Sequence, residues 1–272
     1  MATPAVISRA LGRGKALIGM VHVPALPGAP ASRLTARQIA AHVAAEAKLL
    51  AKAGFDALLL ENMHDAPYVT RHDPAVVAGM TAAGLAVRDA APDLPMGVQV
   101  LAAGNREALA VAQACGGTFI RCENFVFAHV ADEGLMPTAE AGELLRYRRS
   151  IGAEGVAVFA DLKKKHASHA ITGDVSLAEA CHAAEFFRAD GVIITGAHTG
   201  DPASEGDLAE ARGACDLPVL VGSGVTPENL AAMFAHADGL IVGSSLKRGG
   251  HWAGPLDVKR CAAVIKAADK AR

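Results

Sequence analysis

One pattern constrains this chain more than any other. A short apolar run bounded by Gly, Pro or Asp, followed by an alanine-rich segment of helical periodicity, recurs eight times. The runs are ALIGMVHV (16–23), DALLLEN (56–62), MGVQVLA (96–102), TFIRCEN (118–124), GVAVFADLK (155–163), GVIITG (191–196), PVLVGSG (218–224) and GLIVGSS (239–245). Residues 35–53 typify the segments between them, with Ile39, Val43, Ala47 and Leu50 on one face. Strands this apolar suit a parallel sheet covered by helices. Eight such units in order predict a single (β/α)8 TIM barrel, one α/β domain over residues 1–272, and the glycine turns after its last two strands point to the phosphate-binding type.

The connections support the same reading. Those entering strands are short (Gly116-Gly117, Gly152-Ala153-Glu154, Arg188-Ala189-Asp190, His236-Ala237-Asp238), whereas those leaving strands include the long segments 24–34, 63–74, 125–137 and 164–175. In such a barrel the loops after strands build the active face. Eight of the 11 histidines (His22, His64, His72, His129, His166, His169, His198, His251) fall at strand ends or in loops.

Glycine-rich turns follow the seventh and eighth runs, where barrels of this type hold phosphate on free backbone N–H groups. The expected cradle is Gly222, Ser223, Gly224 and Val225 with Gly243 and Ser244, continuing to Ser245. Thr226 suits a helix cap and Pro227 a first helical position.

Charges inside apolar strands point to a wet mouth, because unpaired burial costs too much. Period-two alternation places Asp161 and Lys163 on one face of the fifth run and Arg121 and Glu123 on one face of the fourth, while Glu61 ends the second. These five are the candidate catalytic group, with an ion-pair network tying strands together as the structural alternative. Asn62, Asn124 and Thr195, also at strand ends, are candidate substrate contacts. His22 is either another contact or a satisfied core histidine. His166 with His169, His64 with Asp65, and His72 with Asp73 read as solvated loop residues or phosphate contacts rather than a permanent zinc site. Neither a metal nor a dinucleotide is predicted, and any other cofactor is left unassigned.

Composition narrows the partners. Lys plus Arg number 26 against 28 Asp plus Glu, and aromatics make up 4% of the chain, which argues against a nucleic-acid partner. No apolar run approaches the length of a membrane span. Five scattered cysteines, of which Cys122 and Cys181 read as small buried hydrophobes, fit a reducing cytoplasm. A homo-oligomer is compatible with the sequence.

The strings ALIGMVHVPALPGAP, LLLENMHDAPY, FIRCENFVFAHVADEGLM, FADLKKKHASH and VGSGVTPENL together closely resemble the BtpA family over nearly the whole chain. That resemblance implies a barrel like those that bind ribulose phosphate. It carries over Glu61, Asn62, Arg121, Glu123, Asn124, Asp161, Lys163 and the Gly222–Gly224 turn as the positions to watch. The founding member is implicated in photosystem I biogenesis, and bacterial relatives sit among sugar-metabolism genes. The expected function is acid/base catalysis on a phosphorylated sugar or nucleotide-like metabolite, either isomerase- or epimerase-like or glycosyl-cleaving. The alternative from another class is a non-catalytic assembly or stability factor for a photosynthetic complex.

Overall fold

All eight apolar runs become strands, and they pair in parallel into one closed barrel. The computed structural model describes residues 3–196 and 200–272, the side chains of Thr3 and Pro4 excepted, so His198 lies outside the described residues. Numbered along the chain, the barrel uses β1 (Ala16–His22), β2 (Ala57–Glu61), β3 (Met96–Gln99), β4 (Phe119–Cys122), β7 (Ala157–Leu162), β9 (Gly191–Ile194), β10 (Val219–Val221) and β11 (Gly239–Val242). A separate antiparallel sheet of β5 (His129–Ala131), β6 (Gly134–Met136) and β8 (Ala167–Ser168) is built from two of the long loops. The helices are α1 (Thr3–Leu11), α2 (Ala36–Ala53), α3 (Pro74–Ala90), α4 (Asn105–Cys115), α5 (Ala141–Ser150), α6 (Leu177–Phe186), α7 (Glu205–Ala214), α8 (Leu230–His236) and α9 (Val258–Ala271).

Two apolar layers lie on either side of the strands. Outward-facing side chains pack against the helices, and the predicted stripe of Ile39, Val43, Ala47 and Leu50 on α2 is fully enclosed there. A capping box in which Thr35 and Gln38 each serve the other's backbone fixes the start of α2, and left-handed Gly54 ends it. Inward-facing Ile18, Met20, Leu59, Phe119, Phe159, Ile193, Leu220 and Ile241 fill the barrel. Phe119 and Phe159 meet there with ring centroids 5.5 Å apart. They fit because their neighbours on the same inner face are glycines. A Cβ at Gly97 would overlap the Phe119 ring, and one at Gly191 would lie 2.6 Å from Phe159 Cδ1.

Helix α1, which the run-by-run reading leaves unassigned, closes the bottom of the barrel by joining Ile7, Ala10 and Leu11 to the inner layer. Thr118 Oγ1 donates to Ala10 O at 2.8 Å and holds it in place.

Three local expectations are corrected. The strands end earlier than the apolar runs, because side chains take over backbone bonding at the mouth. Leu101 N, for instance, donates to Asn62 Oδ1 rather than to a neighbouring strand. β7 stops at Leu162, since Lys163 adopts left-handed φ 44° and breaks the alternation. Helix α8 begins at Leu230, not at Pro227, because the Asn229 amide folds back to accept from Thr226 N and donate to Gly224 O, both at 2.8 Å.

Candidate active site

Register assembles the floor of the site. His22 on β1 stands level with Glu61 on β2, and Glu61 level with Gln99 on β3, which places three polar side chains in one row across adjacent strands. Arg121 on β4 and Asp161 on β7 face the same interior. All five line a cavity of about 500 Å³ at the carboxyl ends of the strands, as does Glu123 just beyond β4.

Two buried ion pairs fix most of the charge. Arg121 grips Asp161 through Nε to Oδ2 at 2.8 Å and Nη2 to Oδ1 at 3.1 Å. Burial opposes the guanidinium charge, yet Asp161 and nearby carboxylates hold its pKa above the ordinary value. Glu123 receives Lys164 Nζ at 2.9 Å and Ala103 N at 2.8 Å. Those contacts overcome burial and keep its carboxyl below the usual range. Glu61 is the contrast. Burial pushes its carboxyl up despite Arg121 and Lys165, and its nearest ionisable partner is His22 Nε2 at 3.8 Å. Burial, then Lys247, lowers His22 to about 3, so the ring is neutral. Its Nδ1 donates to Trp252 O at 3.2 Å, leaving the Nε2 lone pair turned toward Glu61.

The two glycine turns border the same cavity. Gly222, Ser223, Gly224 and Val225 line one side, and Gly243, Ser244 and Ser245 another, with Arg260 beside them. Among the described residues no backbone acceptor takes the N–H of Gly224, Val225 or Ser244. Gly224 also has a reason unconnected with any ligand. It holds φ +69°, and a Cβ there would strike the backbone of Asp201 and Pro202. Gly222 similarly makes room for Ile193, Thr195 and Arg121.

Four expected site residues lie outside the cavity lining. Lys163 does not join Asp161: the turn after β7 sends it to the surface, where Nζ donates to Val175 O, and Asp161's partner is Arg121 instead. Asn62 spends its amide on Asp65, Leu101 N and Leu101 O, bracing the β2 and β3 loops. Asn124 Nδ2 donates to Thr138 O at 2.6 Å beside a smaller neighbouring cavity. Thr195 Oγ1 accepts from Lys165 N at 3.2 Å and so positions the loop after β7. The loop histidines brace backbone too, His72 on Ala102 O at 3.2 Å and His169 on Lys164 O at 3.0 Å. Among the described residues no group of three His, Cys, Asp or Glu is gathered as a metal site. Cys122 and Cys181 are buried; Cys181 shares a hydrogen bond with Cys215.

Strand reading overlooked Gln99, Lys164, Lys165 and Arg260. Gln99 shares inward parity with Gly97 and is the one polar side chain in its run. It is buried, and its Oε1 has no hydrogen-bond partner among the described residues. Lys164 and Lys165 follow Lys163 directly in sequence, but alternation could not pass through the left-handed turn. Arg260 comes from α9 and carried no local signal.

Fold and pocket together put the molecule among the (β/α)8 barrels whose polar groups collect at the carboxyl ends of the strands. Within that class, the chain belongs to the BtpA family, whose sequence profile matches residues 13–270. An uncharacterised mitochondrial protein of Caenorhabditis elegans is 46% identical over 267 residues, covering 96% of each chain. The photosystem I biogenesis protein BtpA of Synechocystis is 37% identical over 258 residues, covering 92% of this chain and 87% of the relative. Among solved structures, the (S)-3-O-geranylgeranylglyceryl phosphate synthase of Thermoplasma acidophilum, in complex with sn-glycerol-1-phosphate, matches with a TM-score of 0.61 at 17% identity over 99% of both chains. Thiamine phosphate pyrophosphorylase of Pyrococcus furiosus matches with 0.58 at 13% identity, over 97% of this chain and 98% of its own. Among the described residues no helix is long and apolar enough to cross a membrane.

Proposed function

We propose that this barrel, acting as one domain, is an enzyme that uses acid/base chemistry on a phosphorylated, hydroxyl-bearing small metabolite. The observation that carries the reading is the convergence, in one cavity, of two glycine turns with free N–H groups and a row containing an unpaired, charge-disfavoured carboxyl at Glu61. Glu61 is the proton donor and acceptor. Asp161 and Glu123, fixed by Arg121 and Lys164, set the field around it rather than exchange protons. With Glu61 protonated, Arg121, Lys164, Lys165 and Arg260 balance Glu123, Asp132, Glu133 and Asp161 around the cavity, so the attraction for an anion rests on the N–H groups of the two turns. The unpartnered Gln99 Oε1 gives a substrate hydroxyl an acceptor. The phosphate-ligand names of the two fold neighbours agree with this reading. The mitochondrial name of the nematode relative extends the expected compartments beyond the cytoplasm.

The experiment is thermal stabilisation by a panel of sugar phosphates against their unphosphorylated parents, repeated on Ser244→Glu. Ser244 is the better probe because any side chain at Gly224 would disrupt the backbone by itself. Phosphorylated ligands should raise Tm in the wild type, and the added negative charge should cost at least tenfold in apparent affinity while leaving the unliganded Tm nearly unchanged. Equal stabilisation of both proteins would remove phosphate from these turns.

A second reading, as an assembly factor, draws on exposed Phe127, Val130, Leu135 and Ile171, which lie on or beside the small sheet at the mouth, and on the name of the Synechocystis relative. Such a factor would bind its complex through that apolar face and would survive loss of Glu61.

A further inference from the structure

We propose that the Lys165 amine is a nucleophile that captures the carbonyl carbon of a phosphorylated ketone or aldehyde as an imine, an inference that rests on the phosphorylated-substrate reading above. Three lysines approach the mouth of the barrel, and two are committed. Lys164 Nζ is bound to Glu123 at 2.9 Å, and Lys247 Nζ to Glu46 at 2.7 Å. Lys165 lines the main cavity with Glu61, Arg121 and Asp161, and its Nζ has no hydrogen bond or ion pair among the described residues. Its backbone is nonetheless held, because Lys165 N donates to Thr195 Oγ1 at 3.2 Å. A fixed stem carrying an uncommitted amine beside paired charges is unsuited to bracing the fold and well suited to attack.

The surroundings also supply free amine. Burial, then the Arg121 charge, lowers Lys165 from 10.5 to about 8. At pH 7 that raises the unprotonated fraction roughly 300-fold. Neighbouring Arg121 cannot substitute as a nucleophile, because it stays protonated on Asp161.

The step balances as follows. The ammonium first gives one proton to solvent or to ionised Glu61, and the neutral Nζ then adds to the carbonyl carbon as the C=O π pair moves to oxygen. The nitrogen then passes a second proton to the alkoxide, giving a carbinolamine whose hydroxyl leaves as water after protonation by the Glu61 carboxyl. The nitrogen lone pair forms the C=N bond, and the one proton left on nitrogen makes it an iminium. In sum, ammonium and carbonyl become iminium and water, with charge conserved and no redox change. Glu61, whose burial favours the protonated form, is the group in the cavity able to pass that proton without losing an ion pair.

The test incubates the whole protein with dihydroxyacetone phosphate or glyceraldehyde 3-phosphate in the presence of sodium borohydride, which delivers hydride to the iminium carbon and makes the adduct permanent. Peptide mass mapping should place the reduced adduct on Lys165, at least tenfold above exposed Lys163. Lys165→Arg should abolish it at unchanged Tm, and Lys164→Arg should keep it. Independently of any substrate, acetylation of Lys165 by acetic anhydride should be half-maximal near pH 8. Absence of the adduct with both probes, labelling spread evenly over surface lysines, or a half-point at pH 10 or above would each overturn the proposal. Inorganic phosphate should protect Lys165, and unphosphorylated dihydroxyacetone should label it at least tenfold less. If instead it labels equally and phosphate gives no protection, the phosphate site is wrong and the imine stands.

Discussion

Glu61 is a cavity carboxyl whose surroundings oppose its charge, and that opposition makes a prediction separating chemistry from stability. Its folded pKa lies above 4.5, so the native state binds more protons than the unfolded chain between that value and the folded one. Stability therefore falls as pH rises through the interval. A glutamine at this position would have nearly the same shape and no proton to lose. Glu61→Gln should consequently abolish turnover, while its Tm equals the wild type near pH 4 and meets or exceeds it at pH 7–8. A variant Tm below wild type across the whole range would mean that the carboxylate is a structural anion, as Asp161 is for Arg121. That contrast marks what was legible at this scale. Apolar strands interrupted by charge did disclose Glu61, Arg121, Glu123 and Asp161, because burying a lone charge is too costly to occur without purpose. Which charge pairs with which was not legible, since Arg121 and Asp161 are 40 residues apart and meet only through the β4 and β7 pairing.

At the scale of the element, strand alternation holds wherever the backbone remains extended and fails at the first left-handed residue. It put Arg121 with Glu123 on one face of the fourth run and Asp161 on one face of the fifth, then misplaced Lys163 because φ 44° turns the chain. The three-stranded sheet over the mouth escaped notice for another reason: its strands are two or three residues long, too short for periodicity to register. Complementary volumes across strands were equally hidden. Gly97 looks like a weak residue in a strand, yet it accommodates the Phe119 ring from the neighbouring strand. Gly97→Ala should therefore destabilise the barrel by about 1–3 kcal/mol through overpacking. Adding Phe119→Leu should recover part of that loss, although Phe119→Leu alone is destabilising. Additive losses in urea unfolding of the double variant would show that the two positions do not share this space.

At the scale of the whole molecule, barrel closure puts the apolar plug and the polar cavity at opposite ends. Eight recurring units made the closed sheet legible, since a parallel sheet with helices outside and eight sequential crossovers has few other solutions. The plug at the bottom was not, because α1 precedes the first strand and its docking depends on an opening that exists only once the barrel has closed. Leu11 sits in that opening, fully buried against the inner layer, while the cavity lies beyond the stacked Ile18, Leu59, Phe159 and Ile241 side chains. Leu11→Ala should cost about 2–5 kcal/mol, by lost burial and the space left behind. At about 2–4 °C per kcal/mol for a chain of this size, Tm should fall by roughly 4–20 °C. Strands of a closed barrel are braced on both sides, so the loss should not spread to the mouth. Below the lowered Tm, the stabilisation produced by a given excess of phosphorylated ligand, which depends only on its concentration relative to Kd, should match the wild type. A weakened ligand response at temperatures where Leu11→Ala is still folded would show instead that the plug and the cavity are coupled through the inner layer.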